Sequence, residues 1–120
     1  MKLDLPNSHE LLLKAQQERL YAKLVMQIKK DFGLANIPVD LANDISPGDL
    51  QIFLQEKIYY LMLEKFPEYL NLLYVIDVPE NAFKQIQVTD VVEVAEQVSY
   101  LALKRELQKV WLKEKYTSQK

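Results

Sequence analysis

Residues 50–78 read LQIFLQEKIYYLMLEKFPEYLNLLYVIDV, and this stretch decides the fold class. It carries four of the seven tyrosines and two of the four phenylalanines of the 120-residue chain. Its apolar side chains fall on nearly every side of a helical wheel, the pattern of a helix enclosed on several sides. Pro67 cannot donate a backbone hydrogen bond, and its ring clashes with the carbonyl four residues back, so the helix is expected to kink or restart there. The β-branched pair Val75-Ile76 leaves a short buried strand over 69–76 as an alternative. Helix is the reading adopted, because the neighbouring segments are helical and a lone strand has no partner.

Working outward, Ser46-Pro47-Gly48-Asp49 is a helix start, with Ser46 as cap, a proline at the first helical position and an acid in the first turn. The central element therefore spans 47–76. Asp77-Val78-Pro79 closes it and opens a short helix over 79–86. Upstream, residues 33–46 form a connection longer than is usual between helices. Ile37, Val39, Leu41 and Ile45 are therefore expected to pack on the core.

Two long helices flank this centre. Asn7 and Glu10 form a capping pair, and Leu13, Leu20, Leu24 and Ile28 then line one face, with Tyr21, Val25 and Phe32 beside them. The spacing predicts one helix over 8–32, stopped by Gly33 as the residue after its cap. A second capping pair, Asp90 and Glu93, opens a helix over 91–116. Its apolar face changes midway. Val91, Val94, Ala95, Val98, Leu101 and Ala102 share one side. Leu103, Leu107, Val110 and Trp111 lie nearly opposite, continuing a row begun by Glu96 and Tyr100. Either that row meets a second subunit, or one core wraps the helix on both sides.

Composition narrows the chemistry. Only two glycines and five prolines interrupt the chain, which favours long helices over short strands. There is no cysteine, which excludes disulfides, thiolate nucleophiles and Cys-type metal sites. The N-terminus has no signal-peptide pattern, and the longest uncharged run of the central stretch, Tyr69–Ile76, is far short of the ~20 residues a membrane span needs. A soluble, cytoplasmic protein is expected. The net charge of −2 hides a gradient. Residues 1–39 hold six basic and four acidic side chains, residues 40–96 three and eleven, and residues 97–120 six and two. Acids at the start and bases at the end of the last helix suit its macrodipole.

The sites of common enzymes are missing. His9 is the single histidine and has no second histidine or cysteine to join it as a metal ligand. Gly33 and Gly48 stand alone, so neither phosphate-cradling glycine motif occurs, and no serine sits in a nucleophile-elbow sequence. Tyr100 and Lys104 have the spacing of a phenol–ammonium pair, but without a dinucleotide-binding motif they read as packing. Glu93 and Glu96 lie at different angles on the helix and lack the Glu-x-x-His partners of di-metal bundles. Arg105, Lys109 and Lys113 form a basic ridge that Glu106 and Glu114 dilute.

The expectation is therefore an all-α domain over 1–120, with two long helices packed on a kinked, largely buried central helix plus one short helix. No catalytic, cofactor or metal residue is assigned, and enzyme activity is not expected. The first functional reading is a protein-interaction module, self-associating as a homodimer through Glu96, Tyr100, Leu103, Leu107 and Trp111. The second is a small-molecule-binding protein or enzyme with an interhelical pocket lined by Tyr59, Tyr60, Tyr69 and Tyr74. The third is nucleic-acid regulation through the basic ridge.

Overall fold

The computed structural model describes residues 3–118. Its helices are α1 (Ser8–Gln17), α2 (Tyr21–Leu34), α3 (Pro47–Glu64), α4 (Phe66–Ile76), α5 (Glu80–Phe83) and α6 (Val91–Ser118). Three starts use the caps legible in the sequence. Asn7 Oδ1 accepts the Glu10 N–H at 2.9 Å, Ser46 Oγ accepts that of Asp49 at 3.2 Å, and Asp90 Oδ1 accepts that of Glu93 at 2.9 Å. Each satisfies an N–H that has no partner inside the first turn. Residues 69–76 are helical. Pro67 lies in the first turn of α4, after a break at Lys65, where its missing N–H costs nothing.

The predicted helix over 8–32 is two helices. Arg19 turns left-handed at φ 59°, the Leu20 N–H donates to the Ala15 carbonyl at 2.8 Å, and the Arg19 N–H donates to Gln16 at 3.0 Å. That is a Schellman ending. Asn36, at φ 60°, ends α2 in the same way, with Ile37 bonded back to Phe32 and Asn36 to Gly33. Gly33 is thus inside α2 and not beyond its end. Asp77, at φ 68°, ends α4 likewise. In all three the next residue, Leu20, Ile37 or Val78, is a buried apolar side chain. The gain from burying it offsets the left-handed backbone, which costs a side-chain-bearing residue about 1–2 kcal/mol. Arg19 is exposed, so Arg19→Gly is expected to stabilise the fold by about 0.5–1 kcal/mol. A thermal melt checks this, and an unchanged or lower midpoint would contradict it.

The organising element is α6, not the 50–78 stretch. Its 28 residues make a rod of ~42 Å, matching the molecule's longest dimension of 43 Å, and α1, α2, α3 and α4 all pack against it. Both of its apolar rows are core. Ala95, Val98 and Ala102 are buried on one side, and Leu103, Leu107 and Val110 on the other. By contrast, α3 buries only Leu50, Leu54, Ile58 and Leu61. The 35–46 connection packs as expected: Ile37 and Leu41 are buried, Val39 and Ile45 half-buried, and the Tyr21 hydroxyl donates to the Ile45 carbonyl at 2.6 Å. Among the described residues, no helix is long and apolar enough to cross a membrane.

Candidate functional site

Where α2, α4 and α6 meet, a charged cluster sits inside the apolar core. Asp31 of α2 is 2 % exposed and Glu106 of α6 is 1 % exposed. One turn beyond Glu106, the Lys109 ammonium lies 2.5 Å from Asp31 Oδ2 and 3.2 Å from Glu106 Oε1. It also donates to the Ile76 carbonyl at 3.3 Å. Beside it, Arg105 donates to the Asp77 carbonyl at 2.9 Å and to Asp77 Oδ2 at 3.0 Å. Two α6 cations thus cap the negative end of α4. Gln27 donates to Asp31 Oδ1 at 3.1 Å and accepts from Lys113 at 2.8 Å, carrying the network out to the surface.

Two carboxyls and one ammonium leave one negative charge too many for a dry site, and a proton resolves it. Burial first, then the hydrogen bond and charge of Asp31, push the Glu106 carboxyl up to about 9 against the pull of Lys109. Burial also acts on Asp31, but hydrogen bonds from Glu106, Lys109 and Gln27 and the lysine charge outweigh it and hold that carboxyl below its ordinary range. At neutral pH Glu106 is therefore a neutral acid beside the Asp31 carboxylate, and Asp31⁻ pairs with Lys109⁺. Neither Glu106 oxygen has a well-formed hydrogen-bond partner among the described residues.

A raised acid beside a carboxylate is the raw material of acid–base catalysis. Here it has no access to substrate. The cavity that Glu106 shares with Ile28, Phe32, Leu54, Ile58 and Leu72 measures about 10 Å³, room for about one water. The cluster ties three helices together and does not face a ligand.

The residues singled out from sequence are dispersed. Leu103 and Leu107 are buried within the single chain and cannot form an interface. Their apolar row meets this chain's own helices. Tyr100 is half-buried with its hydroxyl donated to the Leu5 carbonyl at 2.5 Å, Trp111 is half-buried, and Glu96 is exposed. Lys104 lies 6.0 Å from the centre of the Tyr100 ring and 3.6 Å from Asp4, so that pair anchors the N-terminal segment. The four tyrosines do not converge. Tyr69 is buried, Tyr74 is 83 % exposed, and Tyr59 and Tyr60 stand on the outside of α3. The basic ridge is largely committed: Arg105 to Asp77, Lys109 to Asp31 and Lys113 to Gln27.

Sequence reading missed two features. The first is the charged cluster. Its signal is Asp31 between Ile28 and Phe32, and Glu106 between Leu103 and Leu107, each at an apolar position of its helix. The second is an exposed apolar line. On α3, Ile52, Tyr59 and Leu63 fall within ~40° of one another around the axis. On α4, Phe66, Leu70 and Tyr74 continue at four-residue spacing, and all six are exposed. A cleft of about 460 Å³ lies between the N-terminal segment, the 84–90 loop and α6. Gln97, Glu93 and the Tyr100 hydroxyl in its wall are already bonded to Gln87, Thr89 and Leu5. Among the described residues, no group of three or more His, Cys, Asp or Glu side chains could hold a metal ion. Against protein-family models, curated proteins and solved structures, the chain finds no match.

Proposed function

We propose that the protein is a self-associating helical module that docks through the outer face of α3 and α4. The supporting observation is the line Ile52, Tyr59, Leu63, Phe66, Leu70 and Tyr74, large apolar side chains exposed along two consecutive helices. Large exposed apolar side chains are characteristic of protein contacts, where aromatic residues are enriched. The line runs along helices whose opposite faces, through Leu54, Ile58 and Leu72, are already core.

A second copy is the favoured occupant. The rim of the line carries Glu56, Glu64 and Glu68 together with Lys57 and Lys65. A second copy of the chain, which itself presents both acidic and basic surfaces, can set opposite charges against both signs, whereas a partner of one sign would leave some of them opposed by like charge. A cytoplasmic setting, expected from the sequence, belongs to the same proposal.

Light scattering at two protein concentrations tests it. Wild type is expected to exceed the chain mass of 14.1 kDa and to rise with concentration. Leu63→Glu combined with Leu70→Glu is expected to return the mass to that of one chain with helicity unchanged. A wild-type mass of one chain at both concentrations would overturn the proposal.

A further inference from the structure

Two grooves of opposite charge open at the two ends of α6, and the charge gradient of the chain finds its place in them. The first, about 260 Å³, lies between α3 and the start of α6. Tyr59, Val92 and Ala95 form its floor, and Glu56 and Glu96 stand at its rim. Neither carboxylate is in an ion pair among the described residues. The second, about 330 Å³, lies between α2 and the end of α6. Met26 and Val110 supply its apolar surface, and Lys23, Lys30 and Lys113 surround it, with Glu114 neutralised by Lys23. Lys30 is in no ion pair among the described residues.

The two are related along the helix. Val92 and Val110, Ala95 and Lys113, and Glu96 and Glu114 are each 18 residues apart, which is five turns of an α-helix, or ~27 Å. Both grooves therefore open on the same side of α6, one at each end, with Leu103 and Glu106 between them buried under the other helices. We propose that self-association joins the acidic groove of one copy to the basic groove of another. This rests on the self-association reading above and names the surfaces that meet. The acidic groove adjoins the α3 line through Tyr59. Across the contact Met26, 63 % exposed, is an unbranched side chain suited to a floor with an aromatic ring. The uncompensated carboxylates Glu56 and Glu96 meet Lys30 and its neighbours, charge complementarity that selects this orientation over like-to-like docking.

Paired charge reversal tests this. The variant Lys23→Glu with Lys30→Glu has two acidic grooves, and Glu56→Lys with Glu96→Lys has two basic ones. All four positions are exposed, and circular dichroism verifies that both variants keep wild-type helicity. Each alone is expected to associate at least ten-fold more weakly than wild type. An equimolar mixture is expected to recover wild-type mass, because the unaltered groove of each variant fits the unaltered groove of the other. Wild-type association is also expected to weaken with salt. If wild type associates but the reversals leave its mass unchanged, or the mixture stays dissociated, the groove pairing fails and self-association stands. A monomeric wild type overturns both.

Discussion

Lys109→Met is expected to lower the free energy of unfolding at neutral pH by about 3–5 kcal/mol, the usual cost of stranding one partner of a buried ion pair. The lysine ammonium donates to Asp31 Oδ2 and to the Ile76 carbonyl, and it lies 3.2 Å from Glu106 Oε1. Methionine has a similar volume but offers none of them a proton. Adding Asp31→Asn to that variant removes the stranded charge and is expected to recover most of the loss. Urea denaturation of the two single variants and the double variant gives the coupling energy directly. A Lys109→Met loss below about 1 kcal/mol, within the range of surface pairs, would show that the cluster is solvated and not buried.

Glu106→Gln is expected to have the opposite sign. In the unfolded chain Glu106 loses its proton above its ordinary value of 4.5, whereas in the fold it keeps the proton until about 9. Between those values folding takes up a proton, so this residue makes stability fall as pH rises, by about 1.4 kcal/mol per pH unit. Asp31 works in the other direction. Its folded value lies below the ordinary 3.8, so its contribution is present above that value and is lost as pH falls through the lowered one. The cluster is therefore most stabilising between the ordinary values of the two carboxyls and weakens toward alkaline pH. Glutamine keeps the shape and the donor of the protonated acid without titrating. The expected gain is about 3 kcal/mol at pH 7, shrinking toward nothing near pH 4.5. Melting curves of both proteins across this range should converge at the acid end. Parallel curves would contradict a proton held by Glu106.

How far the chain could be read depended on whether a feature is local. The caps at Asn7, Ser46 and Asp90 and the restart at Pro67 each involve side chains within one turn, and they were legible. The break at Arg19 was not, because neither glycine nor proline marks it. It depends on Leu20 finding a buried site against distant helices. Leu103 and Leu107 were recognised as an apolar row, but periodicity cannot say whether such a row meets the same chain or another. The all-round apolar character of 50–78 was read as enclosure. It instead reflects helices buried on one face, through Leu54, Ile58 and Leu72, and bare on the other, through Tyr59, Leu63 and Leu70. Asp31 and Glu106 each stand at an apolar position of their helix, but their partner relationship spans 75 residues of sequence, and a charge in an apolar stripe gains meaning only when its counter-charge is placed.

Backbone amide shifts recorded by NMR over a concentration series would locate any self-contact most directly. The expected result is that shifts move with concentration at the outer positions of α3 and α4 around Tyr59, Leu63 and Leu70, near Val92 and Glu96, and along Lys23 to Lys30, while the buried positions around Leu107 stay fixed. Spectra that do not change with concentration, or changes confined to other surfaces, would contradict self-association through this face.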